Sequence, residues 1–366
     1  MPEIRLKNIN KTIEGKGILK NISLKIENGL FTCILGPPGA GKTTLLKIIA
    51  GLESLTTGEV YFGEEDITYL PPQMRDISMV FQDFALYPHL LVYENIASPL
   101  KAKRMPKKEI RKKVKEVTSF LGIDRLLDRI PRQLSGGEMQ RVAIARAIIK
   151  EPRVYLLDEI LVNLDYKIRE EMRSELKGIV KKMGRTIIYA TPDPLDVLSM
   201  ADRVVVLHKG VIEQKGSTKE VYTHPKNIVV GGYFGFPEMN LVDCVLKRKN
   251  NKLFITTDEL TIDISKFEEK LKERKEEEAI LGVRPENMNI ATEAVQKRGD
   301  NLVKGEVVLG EVIGSDTIVH VKIGKDRIKI FVPRIYRVPI GEKIWLHFNT
   351  RDIYLFNRQT GECILG

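Results

Sequence analysis

The octapeptide GPPGAGKT, residues 36–43, constrains this chain more than any other stretch of it. Glycine, four residues and then Gly-Lys-Thr is a pattern that cradles phosphate when it links a strand to a helix. Both neighbours are present. LFTCIL (30–35) is an apolar run suited to a buried strand, and residues from about Lys42 to Ala50 have helical periodicity. Gly36, Pro37, Pro38, Gly39, Ala40, Gly41 and Thr44 form the candidate cradle, with the backbone amides of the turn and of the helix N-terminus facing the anion. Lys42 reaches the outer phosphates of a nucleotide, and the Thr43 hydroxyl is a candidate magnesium ligand.

A second run, VYLLDE (154–159), supplies what such a loop lacks. Its apolar residues predict a buried parallel strand, and the strand ends in two adjacent acids. Asp158 suits the magnesium shell, and Glu159 suits polarising a water that attacks the terminal phosphate. A third apolar run, TIIYAT (186–191), is followed by Pro192, Asp193 and Pro194. Asp193 is a sound helix N-cap and Pro194 a sound first helical residue, because that proline has no amide to leave unsatisfied. Pro192 has no such explanation.

Strands alternate with helical stretches as far as RVVVLHKG (203–210), which predicts a largely parallel sheet. Residues 84–150 read as mostly helical. Pro106 opens a helix whose apolar stripe is Ile110, Val114, Val117 and Leu121. After GYFGFPEMN (232–240) short alternating runs take over, such as TIVHVKI and RIKIFVP, and predict a small all-β, barrel-like domain. KFEEKLKERKEEE (266–278) reads as an exposed helix or linker. The boundaries expected are 1–237 and 238–366, with a helical subdomain at about 84–150.

Composition narrows the class. No apolar run reaches the roughly 18 residues that span a bilayer, and the N-terminus lacks a secretory apolar core. Three widely spaced cysteines and five scattered histidines argue against disulfides and zinc and for a reducing, cytosolic setting. The net charge of +10 is uneven: 37 Lys and Arg face 28 Asp and Glu in residues 1–237, against 22 and 21 in the remainder. KAKRMPKKEIRKKVK (101–115) holds nine bases and one acid. A solvated helix face and attraction to anionic lipid both fit it. Nucleic acid fits less well, because no aromatic residues interleave the charges.

Between the two nucleotide runs lies QLSGGEMQRVAIARAI (133–148), in which Ser135, Gly136 and Gly137 precede a helix and make a second anion-binding terminus. The set resembles the ATP-binding-cassette ATPases, whose signature is LSGGQ. The resemblance covers the whole chain. It makes MVFQDFALYPHL the Q-loop, with Gln82 sensing magnesium and the membrane partner, and LVNLD (161–165) the D-loop, with Asp165 as its acid. GVRPENMNI (282–290) and FNTRDIYLFNRQTGECI (348–364) are similar to the regulatory domain of importer ATPases serving maltose and related sugars. NLDYKIREEMRSEL followed by YATPDP looks more like the glycerol-type than the maltose-type members.

The family implies a fold and a job. The fold is an α/β P-loop ATPase domain with a helical subdomain, followed by a small OB-like β domain. The job is ATP and Mg²⁺-dependent hydrolysis powering an importer for a sugar, polyol or similar solute. It further implies permease subunits, a second ATPase subunit facing this one head to tail (an identical copy in a homodimer or a different chain in a heterodimer), a solute-binding protein, no nucleic acid, and a peripheral place at the cytoplasmic face of the membrane. In that pairing Lys42, Gln82, Asp158 and Glu159 serve one site, and Ser135, Gly136 and Gly137 serve the other.

Several residues depart from the family. Where members have Thr/Ser-His-Asp this chain reads Thr191-Pro192-Asp193, and proline offers no side-chain hydrogen bond. Ile13 stands where an aromatic stacks on adenine, Val162 and Ile160 replace Ser and Pro, and Glu138 replaces the signature Gln. These departures leave open a poorly hydrolysing regulatory subunit of a heterodimeric importer. A soluble cassette protein is the third reading, although neither a coiled-coil head nor a tandem cassette is present.

Overall fold

The computed structural model describes residues 3–162, 166–250, 252–271, 278–291 and 302–366. They fall into two compact units, Met1–Thr218 and Lys219–Gly366.

In the first unit, β1 (Ile4–Ile13) and β2 (Lys16–Ile26) form a hairpin, and β3 (Phe31–Leu35) leads into α1 (Lys42–Ala50). β4 (Thr57–Phe62) and the short β5 (Glu65–Asp66) complete an antiparallel sheet in the order β2-β1-β4-β5. The second sheet joins β3 to β6 (Ile77–Val80), β7 (Val154–Asp158), β8 (Thr186–Thr191), β9 (Arg203–His208) and β10 (Val211–Ser217), in the order β10-β9-β3-β8-β7-β6. Every pairing in it is parallel except the edge hairpin β9–β10. β3, β7 and β8 are buried throughout, as strands covered on both faces must be.

α1 lies between the two sheets. Its Leu45, Leu46, Ile48 and Ile49 share one core with Ile4, Leu6 and Ile22 of the hairpin and with Leu156 and Ile188 of the parallel sheet. Burying a side chain of that size contributes about 1.5–3 kcal/mol. The helix stops at Gly51, which is left-handed at φ 74°. Its last carbonyls are not left bare, because buried Arg75 donates to Ile48 O at 2.8 Å and to Ile49 O at 3.0 Å.

Between β6 and β7 come the helices: α2 (Val92–Ala102), α3 (Lys107–Leu121) and α4 (Gly136–Ile148). Pro106 is the N-cap of α3, and Ile110, Val114 and Leu121 are buried, so the apolar stripe read in sequence is the packed face. α5 (Tyr166–Met183) and α6 (Pro194–Met200) flank β8. Asp193 caps α6 by accepting from Leu195 N at 2.9 Å, with Pro194 at its first turn.

The second unit opens with α7 (Thr218–Thr223), of which Thr218 belongs to the first unit, and α8 (Ile228–Tyr233). β strands follow. β11 (Asn240–Lys249), β12 (Lys252–Thr256) and β13 (Thr261–Asp263) precede a short helix, α9 (Glu268–Leu271). Next are β14 (Glu278–Val283), β15 (Met288–Ile290), β16 (Leu302–Ile313), β17 (Asp316–Ile323), β18 (Asp326–Val332), β19 (Lys343–Phe348), β20 (Ile353–Asn357) and β21 (Cys363–Leu365). They build two antiparallel sheets, β13-β12-β11-β14-β20-β21 and β15-β19-β16-β17-β18, whose inner faces share one core. The charged run expected to be merely exposed contributes to that core: Leu271, at the end of α9, is 2% exposed. Residues 272–277 of that run lie outside the described residues.

Arg284 secures the start of this unit. It is 2% exposed, donates to Phe234 O at 3.0 Å and to Tyr222 O, and stacks 3.7 Å from the centre of the Tyr222 ring. Arg284→Ala leaves two carbonyls without their donor and should cost about 2–6 kcal/mol. The only tryptophan of the chain, Trp345 in β19, makes this measurable by fluorescence during urea unfolding. An unchanged midpoint would refute the role given to Arg284.

Candidate nucleotide site and family

The parallel strands end together at one edge of the sheet, where open α/β proteins bind ligands. There the loop from Gly36 to Gly41 is held by the end of β8 and by the turn after β9. Gly36 N donates to Thr191 O at 3.3 Å, and Gly210 N to Ala40 O at 3.1 Å. A Cβ on Gly36 would lie 2.1 Å from Leu207 O, so the approach to β9 requires glycine. The tip, Pro38 and Gly39, is exposed.

α1 starts at Gly41, left-handed at φ 103°, with no side-chain cap and no acid in its first turn. No acid of its own first turn therefore competes for its leading amides, which suits an anion. Lys42 is 3% exposed, and its Nζ donates to Gly36 O at 2.7 Å and Pro37 O at 3.1 Å. The same Nζ lies 3.0 Å from Glu159 Oε1. The Thr43 hydroxyl donates to Asp158 Oδ1 at 2.9 Å, while Thr44 is half-buried beside it. Burial pushes the Asp158 carboxyl above its ordinary range, opposed by the Thr43 bond and by Lys42 and reinforced by the Glu159 charge. Glu159 itself turns out of the strand at φ 49°. Lys42, Thr43, Asp158 and Glu159, drawn from two distant runs of sequence, thus form one cluster.

The wall carrying Pro192 is a hydrogen-bonded network. Buried Asp196 accepts from Tyr189 (2.8 Å), Thr191 (2.6 Å) and Arg173 Nε (2.6 Å), and Arg173 also pairs with Asp193. Asp193 N donates to Thr191 Oγ1 at 3.0 Å. The geometry of this turn depends on Thr191, Asp193 and Asp196, and it holds with proline at 192.

Gln82 follows β6 and is exposed. The segment after it is fixed by a residue that sequence reading did not single out. Arg146 of α4 donates to Ala85 O at 2.8 Å and Phe84 O at 2.9 Å. Arg173 was missed as well. Both sit in helical stretches whose only readable signal is periodicity, and periodicity does not name an arginine's partner. Ser135 caps α4, accepting from Glu138 N at 3.3 Å, while Glu138 Oε2 accepts from Ser135 N at 3.0 Å. The acid that replaces the signature glutamine therefore closes a capping box. Among the described residues, Ser135, Gly136 and Gly137 make no hydrogen bond or ion pair with the loop of their own chain. Ile13, at the end of β1, is 42% exposed. Asp165 lies outside the described residues.

Sequence models of known families match three stretches: one described as ABC transporter over residues 19–162, the MalK OB fold domain over 235–288 and the TOBE domain over 281–356. The trehalose/maltose import ATP-binding protein MalK of Thermococcus litoralis is 39% identical over all of both chains. This chain belongs to the ABC transporter family.

The cassette's other similarities agree. The sn-glycerol-3-phosphate import ATP-binding protein UgpC of Cupriavidus pinatubonensis is 37% identical, again over the full length of each chain. A solved structure of the dimeric ATP-binding cassette MJ0796, bound to ADP and Pi, superposes with a TM-score of 0.54 at 35% identity. It covers 58% of this chain and 98% of that one. The α/β cassette followed by an all-β region, and an ATP-binding, ATP-hydrolysing chain, are thus the fold and activity of this protein.

Proposed function

We propose that the chain is the ATPase subunit of an importer for a sugar, a polyol or a similar small solute. It works as one of two ATPase subunits beneath permease subunits at the cytoplasmic face of the membrane, with a solute-binding protein delivering cargo from the other side. Full-length similarity to the trehalose/maltose and sn-glycerol-3-phosphate import proteins supports the cargo class. The observation that carries the chemistry is the cluster in which buried Lys42 meets Glu159 and Thr43 meets Asp158.

Lys42 binds the outer phosphates of ATP with the amides of Gly39 and Gly41 and of Thr43 and Thr44, while the Gly36 and Ala40 amides, which donate to Thr191 O and Pro37 O, hold the turn that Pro37 and Pro38 shape. Glu159 accepts a proton from the attacking water. Asp158, Thr43 and Gln82 offer oxygen ligands that fit Mg²⁺, which when bound neutralises charge on the phosphates. Ser135, Gly136 and Gly137, with Asp165, serve the nucleotide held by the facing subunit. The functional division is drawn at 237/238, ahead of the β domain, with the helical subdomain at about 84–150.

The permease has a place to dock. A groove of about 590 Å³ in the first unit is walled by Leu52, Phe81, Tyr87, Pro99, Ala102 and Ala143, with Arg146 and Lys150 among its lining residues. Its lining includes Phe81, the residue before Gln82, and it suits a helical segment with an apolar face. No helix of the described residues is itself long and apolar enough to cross a membrane. Ala102 is exposed at the end of α2, so Ala102→Arg should leave the fold and ATP binding intact. It should lower co-purification with the permease at least about tenfold, because a long cation placed in the groove builds a clash against the docked helix. Undiminished co-purification would remove the groove from the interface.

A further inference from the structure

α3 is amphipathic in an uneven way. Ile110, Val114 and Leu121 are buried against the subdomain, whereas Lys108, Arg111, Lys112 and Lys115 are exposed. The spacing of three, one and three puts those four cations on a single stripe opposite the apolar one. Lys103, Arg104 and Lys107 extend the row toward α2 and are exposed too. Lys112 lies 4.0 Å from Glu116, but among the described residues Lys103, Arg104, Lys107, Lys108, Arg111 and Lys115 have no ion-pair partner.

This row is continuous with the rim of the groove. Ala102, the residue before Lys103, lines the groove. Lys103 is close enough to lower the Lys150 ammonium pKa, after the larger effect of burial, and Lys150 also lines it. Lys113 of α3 pairs with Glu151, the next residue along, which fixes α3 beside that rim.

We infer that the exposed cationic stripe of α3 rests on the anionic phospholipid surface around the permease. The choice of lipid follows from what the row lacks. A protein partner is met by a shaped apolar centre with aromatic residues, and lysine is depleted there. Here long, flexible cations stand on an exposed helix face beside the groove rather than inside it, an arrangement suited to a fluid surface of uniform charge. Nucleic acid is disfavoured by the absence of interleaved aromatics. The inference rests on the groove facing the membrane, so its test separates the two.

Full-length protein is mixed with vesicles of phosphatidylcholine alone or containing phosphatidylglycerol, and bound protein is measured by flotation. The wild type should bind only the anionic vesicles, and binding should fall steeply between about 0.1 M and about 0.5 M salt. Reversing Lys108, Arg111, Lys112 and Lys115 to Glu should weaken it at least about tenfold, since each basic residue near such a surface is worth roughly fivefold. ATP binding should be unchanged, which certifies the fold. Ala102→Arg, which tests the groove, should not weaken vesicle binding. Failure of the wild type to bind, equal binding by the reversed variant, or tighter binding to duplex or single-stranded nucleic acid than to the vesicles would overturn the inference.

Discussion

Lys42→Ala should abolish measurable ATP binding at the site built on its own loop. The side chain is 3% exposed and held by Gly36 O, Pro37 O and Glu159, so removing it deletes the buried cation proposed to meet the phosphates and leaves the Glu159 carboxylate without that cation. Charge-assisted hydrogen bonds of this kind contribute about 1.5–3 kcal/mol each, and two or more of them together are worth at least about a hundredfold in affinity. Equilibrium binding of a fluorescent ATP analogue to the purified chain measures this. An affinity within about threefold of wild type, well inside that margin, would show that the loop is not where ATP sits.

Pro192→His should raise ATP turnover. The side chain at this position can neither donate nor accept a hydrogen bond, whereas the family resemblance implies an imidazole here. A positioned side chain acting on the reacting groups contributes about 10²–10⁴ in rate, which sets the size of the expected gain. The turn accepts the exchange, because Thr191, Asp193 and Asp196 define it through their own hydrogen bonds. Steady-state phosphate release by the purified chain, with ATP binding measured in parallel, distinguishes faster chemistry from tighter binding. If the wild type already turns over as fast as the histidine variant, the site is not impaired. If the variant is faster, a partner ATPase subunit that retains the histidine becomes the natural companion of this chain, with Ser135, Gly136 and Gly137 serving that partner's nucleotide.

The sequence made the loop, the paired acids and the capped turn legible because each depends on local chemistry. Gly41 at φ 103°, the run of buried residues ending at Asp158, and Asp193 before Pro194 all leave marks within a few adjacent residues. The apolar stripe of α3 was readable for the same reason. The rest was settled by residues far apart in the chain. Arg146 holds the segment after Gln82 from 61 and 62 positions away, and Arg173 meets Asp196 from 23 away. Nothing in the neighbourhood of either arginine announces a partner at that distance. Glu138 shows the opposite case: an apparent defect in the signature proves to be a helix cap once its bond to Ser135 N is seen.

The network around Asp196 has a consequence for how nucleotide is received. Tyr189, Thr191, Arg173 and Asp193 are already committed to one another, and Gly36 N is tied to Thr191 O. Fixing a loop residue on binding typically costs about 1–2 kcal/mol of backbone freedom. The wall that faces the loop forfeits none of that freedom when ATP arrives, because folding has already fixed it. Its residues are preorganised, so substitutions at 192 act on a frame that stays still, and differences among them report the chemistry of one side chain undiluted by the entropy of ordering its surroundings.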